Sequence, residues 1–218
     1  MLVQAGAGEA GQEIAARFAD LVYCTPDTLE KACNYYQGLK ARLAKYGRAP
    51  EDFIIMPALV AIVGETRAQA QAKLDQLQEL VDPLVGLAQL YTQLGDLSGY
   101  DLDGPVPDPV RLAAPSIGRG LWERAVRESL TIRQLYLSDA WGLGLRVVGS
   151  AADVVDAMEE WFDANAADGF NFTPMVKPGS VEDFAHLVIP ELRRRKRFRT
   201  EYESGLLRTN LGLRPIPA

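Results

Sequence analysis

The stretch FIIMPALVAIV, residues 53–63, limits the fold more than any other part of the chain. It is the longest apolar run and is rich in β-branched residues. A strand apolar on both faces must be covered on both, which is the situation inside a parallel sheet flanked by helices. The flanking sequence agrees. Residues 2–5 read as a short strand, and residues 9–19 as a helix with Ile14, Ala15 and Phe18 on one face. Residues 20–23, DLVY, read as a second buried strand. Thr25 and Pro26 supply an N-cap and a first-turn proline. The helix they open runs to about Tyr46, with Leu29, Cys33, Tyr36, Leu39 and Leu43 at helical spacing, and Gly47 ends it. Past the long run, Thr66 and Gln69 form a capping box for a helix carrying Leu74, Leu77 and Val81. Alternation of this kind predicts an α/β chain with a parallel sheet.

Periodicity stops over residues 95–120, GDLSGYDLDGPVPDPVRLAAPSIGRG. A stretch of that length broken by glycine and proline reads as a lid or a disordered insert. Structure resumes near Leu121, with a helix around residues 131–137. Ser150 caps a further helix with Val154, Met158, Trp161 and Phe162 on its apolar side. Residues 169–172, GFNF, are a last short strand. Residues 181–196 are a last helix with Phe184, Leu187, Val188 and Leu192 inward, and the tail beyond it lies on the surface. Four strands result, and both a doubly wound sheet and a piece of a (β/α)8 barrel accommodate them.

Composition removes several classes of function. The chain has 218 residues, 48% hydrophobic and 24% charged, enough to bury a real core. No apolar run is long enough to span a bilayer. A net charge of −6 opposes general binding to nucleic acid or anionic membranes. Cys24 and Cys33 form no metal or redox motif and read as reduced thiols. Glu9 and Glu13 interrupt the N-terminus and no basic segment precedes them, so a secretory leader is not expected and the cytoplasm is. His186 is the only histidine, no ligand spacing for a metal is present, and a surface or partly packed role fits it. Ser116 lies in no nucleophile elbow. The run RRRKRFR, residues 193–199, reads as a cationic helix end. Trp122, Trp141 and Trp161 read as core or interface residues.

The stretch that carries chemistry is LVQAGAGEAGQEIAARF. Gly6, Gly8 and Gly11 spell G-x-G-x-x-G between the first strand and the first helix. A helix N-terminus offers free N–H groups and a partial positive charge, and glycines let an anion approach the backbone. A tight turn with nothing bound is the plain alternative. A dinucleotide fold also wants an acidic residue at the end of the second strand, about 20 residues on. Here that strand ends VYCTP, Asp20 stands at its beginning, and Gln4 puts a polar side chain just before the turn.

The stretch VQAGAGEAGQEIAARFADLVY resembles the VQAG-x-S-x-x-G…AA…AD-x-V(F/Y) segment of flavin-dependent monooxygenases of the bacterial luciferase-like superfamily. The nearest likeness is to the group of nitrilotriacetate monooxygenase, dibenzothiophene-sulfone monooxygenase and pristinamycin synthase. The similarity continues through GRAPEDFIIMPALVAIVGETRAQAQAKLDQL, LSGYDLDGPVPD, RVVGSAADVVDAMEEWFDANAADGFNFTP and PGSVEDFAHLVIPELRRRKRFRTEY.

The resemblance implies a (β/α)8 barrel with insertions, of which this chain supplies the C-terminal half, about four β/α units. Residues 1–198 would be the partial barrel, residues 95–120 its lid-like insertion, and residues 199–218 a tail. The preceding half, on the order of 200 residues in such a barrel, would lie elsewhere, and a truncated, split or mis-started reading frame is the expectation. The resemblance further implies that reduced FMN, supplied by a separate NAD(P)H-dependent flavin reductase, activates O2 to oxygenate a small organic substrate. Gly6, Ala7, Gly8 and Glu9 would then hold the FMN phosphate. Gly8 departs from the family pattern, which places there a serine that contacts the phosphate. The catalytic polar residues would lie in the preceding half. A half-barrel exposes strand edges and an apolar face, so pairing with that half or with a second copy is expected. Two other readings stay open: a non-catalytic flavin-phosphate-binding or assembly module, and a small Rossmann-type NAD-binding protein.

Overall fold

The fold comes from a computed structural model that describes residues 1–108, 118–140, 142–202 and 204–214. The elements run β1 (Val3–Gln4), α1 (Glu9–Phe18), β2 (Leu21–Cys24), α2 (Leu29–Leu43), β3 (Ile54–Gly64), α3 (Arg67–Glu79), α4 (Pro83–Leu94), α5 (Gly118–Arg127), α6 (Ile132–Asp139), β4 (Leu145–Ser150), α7 (Ala151–Asp163), β5 (Asn171–Phe172), α8 (Gly179–Asp183), α9 (Ile189–Arg194) and α10 (Leu207–Asn210). All strand pairs are parallel, in the order β1-β2-β3-β4, with β5 also on β3. The chain falls into two compact units, Met1–Lys73 with Leu143–Ala218, and Leu74–Gly142.

In the first unit β3 is the spine. Residues 54–57 pair with β2, and residues 59–64 with β4. One side of β2 and β3, with Val22, Cys24, Phe53 and Ile55, is covered by Ala15, Ala16, Ala19, Leu39 and Leu43 of α1, α2 and their flanks. The other side, with Leu21, Ile54 and Met56, meets Leu211 and Leu213. The continuous apolar run thus becomes a strand covered on both faces. The tail is not a surface extension throughout, because Leu213 is 3% exposed in that cluster. Its arginines fix it: Arg208 pairs with Asp20 at 2.6 Å and Arg214 with Asp52 at 2.6 Å, at the amino ends of β2 and β3.

The second unit is helical. Leu90, Leu94, Leu97, Val106, Ala125, Ile132, Leu135 and Tyr136 form its core. Gly86 is required there, since a Cβ would lie 2.4 Å from the Tyr136 ring. Residues 95–108 contribute Leu97 and Val106 to this core and a bridge from Pro105 to Thr131. The rest of the irregular stretch up to residue 117, Ser116 included, lies outside the described residues, as do Trp141 and residues 215–218.

Several local expectations change. Leu145–Ser150 is a fifth strand. It holds its place by pairing with β3, while four of its side chains are only half-buried, so its own pattern is weak. Helix α1 buries Ala15 and Ala16, whereas Ile14 and Phe18 are more than half exposed. The small alanines let the helix sit close to its neighbours, a closeness the bulkier stripe would prevent. The cap of α2 is Thr28, whose side chain accepts from the Lys31 N–H, rather than Thr25. Ser150 caps α7 as expected, with Asp153 reaching back to the Ser150 N–H at 2.9 Å. A π-helical turn, Phe184–Val188, splits the last long helix just before Pro190. Proline lacks the N–H and crowds the carbonyl four residues earlier, so the turn widens there.

Candidate functional site

The G-x-G-x-x-G loop joins the carboxyl end of β1 to α1. That is the end of a parallel sheet where α/β folds place their ligands. Gly6 and Gly11 are glycines because they touch. A Cβ on Gly11 would lie 3.1 Å from the Gly6 backbone, and one on Gly6 would lie 2.6 Å from Gln4 Nε2. Gly8 differs: a Cβ there would meet nothing within 4 Å. It is the N-cap of α1 in an extended conformation, φ −71° and ψ 164°, and makes no side-chain cap. The first-turn N–H groups of this ten-residue helix are therefore left facing open space.

Three contacts set the loop's carbonyls. The Gly8 oxygen accepts from the Gln12 N–H at 2.9 Å. The Ala7 oxygen accepts from Gln12 Nε2 at 2.7 Å, and the Gly6 oxygen receives a longer contact from the Tyr35 hydroxyl at 3.4 Å. Beside them the Gln4 Oε1 is buried and finds no hydrogen-bond partner among the described residues. A buried acceptor without a donor calls for one.

Electrostatics at the helix start would be unfavourable to an anion if Glu9 and Glu13 stood alone. They do not. Arg42 reaches Glu9 at 2.8 Å and Glu13 at 2.9 Å, and Lys45 and the Tyr46 hydroxyl also bind Glu13. Donation from Lys45, Tyr46 and Arg42 holds the Glu13 carboxyl at about 2, well below its ordinary 4.5. Glu9 and then Glu13 push the Arg42 guanidinium up. The acidic face of α1 is thus neutralised, and the amide N–H groups and helix dipole dominate at its N-terminus.

A depressed carboxylate stabilises the fold fully above its ordinary value and loses that contribution as pH falls through its folded value. Glu13→Gln is therefore expected to flatten the fall in thermal midpoint between about pH 4.5 and 2. An acid limb unchanged by the substitution would contradict this reading of the charge cluster.

Other features settle into structural roles. His186 is exposed on the π turn. The basic run is bound by acids: Arg195 contacts Asp156, Glu159 and Glu191, Arg197 contacts Glu159 and Asp163, and Arg194 contacts Glu191. Trp161 is buried and Trp122 packs on the core of the second unit. Burial pushes the Cys24 thiol up to about 12. No group of three His, Cys, Asp or Glu fit to hold a metal is found among the described residues. A cavity of about 370 Å³ lies elsewhere in the first unit, walled by Phe162, Phe170, Phe172, Phe184 and Phe198 over Ile54 and Met56.

Comparison with known proteins agrees with this geometry. The family model described as luciferase-like monooxygenase matches residues 2–168. Nitrilotriacetate monooxygenase component A from Aminobacter aminovorans is 42% identical, over 98% of this chain and 48% of its own length. N-acetyl-S-(2-succino)cysteine monooxygenase from Bacillus subtilis is 40% identical, over 98% of this chain and 50% of its own length. The crystal structure of DmoA from Hyphomicrobium sulfonivorans superposes with a TM-score of 0.82 at 30% identity, covering 96% of this chain and 44% of that one. The chain spans about half the length of the curated relatives it matches. With a parallel sheet, a glycine-opened helix at its carboxyl end and a family model covering most of its length, the chain belongs to the luciferase-like monooxygenase family.

Proposed function

We propose that this chain is the C-terminal part of a two-component monooxygenase, in which reduced FMN from a separate flavin reductase and O2 oxygenate a small organic substrate. The observation that carries the reading is the glycine-opened N-terminus of α1, beside an orphaned buried acceptor on Gln4. When bound, the reduced flavin supplies the oxygen-activating chemistry. This chain's residues bind and orient. Gly8 and Glu9 offer backbone N–H groups to a phosphate, Gly6 and Ala7 complete the turn, and Arg42 keeps the Glu9 carboxylate from opposing the anion. Gln4 offers its amide oxygen as an acceptor facing the loop.

In this reading residues 1–198 are the barrel portion with the lid-like insertion at 95–120, and residues 199–218 are its tail. The partner that completes the barrel covers the β1 edge. There Leu2 and Val3 are 61% and 58% exposed, and Ile14 and Phe18 of α1 are more than half exposed. Further β/α units, in a longer polypeptide or a second one, would bury that face. Two free thiols suit a reducing cytoplasm.

Titration with FMN, riboflavin and NADH, read by flavin fluorescence and by competition, tests the proposal. FMN is expected to bind more tightly than riboflavin, which lacks the phosphate, and NADH to bind weakly. Tight NADH binding without FMN binding would instead make the loop a dinucleotide site. FMN binding without turnover alongside a reductase would favour the non-catalytic module, a reading that the missing Gly8 hydroxyl supports.

A further inference from the structure

We infer that Gln12 is a positioning residue for the phosphate: it holds two consecutive peptide planes so that the Gly8 and Glu9 N–H groups face the anion together. The inference rests on the flavin-phosphate reading above and adds a residue outside the G-x-G-x-x-G pattern. In a trans peptide the C=O and the following N–H lie in one plane and point in opposite directions. Fixing one fixes the other. Gln12 does so twice. Its side-chain Nε2 donates to the Ala7 oxygen at 2.7 Å, which turns the Gly8 N–H away from the helix. Its backbone N–H donates to the Gly8 oxygen at 2.9 Å, which turns the Glu9 N–H away from the helix as well. Both amides then face the open side of Gly8, where a Cβ would meet nothing within 4 Å. Consecutive N–H groups aimed at one point form an anion-binding concavity. The backbone clamp is the ordinary first bond of the helix. The side-chain clamp is a matter of sequence and can be removed by substitution.

A half-buried glutamine on the first turns of a helix has little effect on folding when truncated, so the two roles separate cleanly. The experiment measures the affinities of the full chain for FMN and for riboflavin in the unsubstituted protein, Gln12→Ala and Gln12→Lys, together with the thermal midpoint of each. Gln12→Ala is expected to lower the preference for FMN over riboflavin about tenfold, by freeing one peptide plane. Riboflavin affinity and the thermal midpoint are expected to stay unchanged. Gln12→Lys, which can donate to the same Ala7 oxygen, is expected to restore the preference. An unsubstituted protein that prefers FMN and a Gln12→Ala variant that keeps the full preference would overturn the role of Gln12 alone. Absence of any FMN preference in the unsubstituted protein would overturn the phosphate reading and this inference with it. An equal loss of riboflavin and FMN affinity in Gln12→Ala would reduce Gln12 to a structural contact.

Discussion

Gly8→Ser tightens FMN binding by roughly 10- to 100-fold and leaves riboflavin binding unchanged, the range set by adding one charge-assisted hydrogen bond of about 1.5–3 kcal/mol. The site can take the new side chain without adjustment. Gly8 has an extended backbone that any residue adopts, and a Cβ there meets no atom within 4 Å. Serine is also a preferred N-cap, but relative to glycine the gain in helix stability is only a few tenths of a kcal/mol. The effect should therefore appear in phosphate affinity and barely in the melting temperature. Gly8→Ala separates the hydroxyl from the methylene and is expected to keep the original FMN affinity. Calorimetric titration of the three proteins measures it. Equal FMN affinity in Gly8→Ser and Gly8→Ala would place the phosphate somewhere other than beside residue 8.

Arg48→Ala is expected to destabilise the first unit by about 2–4 kcal/mol, read as a shift in the urea midpoint at unchanged slope. Arg48 closes the C-terminus of α1. Its guanidinium donates to the carbonyls of Ala16 at 2.9 Å, Ala19 at 2.6 Å and Asp52 at 2.9 Å, with a longer contact to Ala15 at 3.4 Å. It also stacks over Phe53 at 5.6 Å. Truncation would leave carbonyls in the company of the fully buried Ala15 and Ala16 without a donor, and would remove a cation from a helix C-terminus. Arg48→Lys is expected to recover only part of the loss, since an ammonium group lacks the planar fork that spans several acceptors. A change of under about 0.5 kcal/mol in Arg48→Ala, the level of an ordinary surface substitution, would show that α1 is held by its alanine packing alone.

The parts of this molecule legible in the sequence are those fixed by short-range pattern. The run through β3 can be nothing but a strand covered on both faces, and the Ser150 cap marks its helix because the side chain bonds a backbone group three residues on. The glycine loop is legible for the same reason: contact between Gly6 and Gly11 excludes a Cβ at either position. What escapes is set by distant partners. Strand β4 exists through its pairing with residues 59–64, far away in sequence, while Leu145, Arg146 and Val147 alone carry no alternation. The inward face of α1 is ambiguous in the sequence because Ile14 and Ala15 lie on adjacent stripes, and only the closeness of the neighbouring elements chooses the alanines. Arg48, Tyr35 and Gln12 carry no local signature at all. Each is an ordinary polar residue until the fold brings a carbonyl to it.

Amide hydrogen exchange with and without saturating FMN tests the central claim most directly. Slower exchange confined to the backbone of residues 6–11, matched by inorganic phosphate at high concentration and not by riboflavin, is the predicted result. Protection centred on the phenylalanine-walled cavity near β5, with residues 6–11 exchanging at the same rate as before, would contradict it.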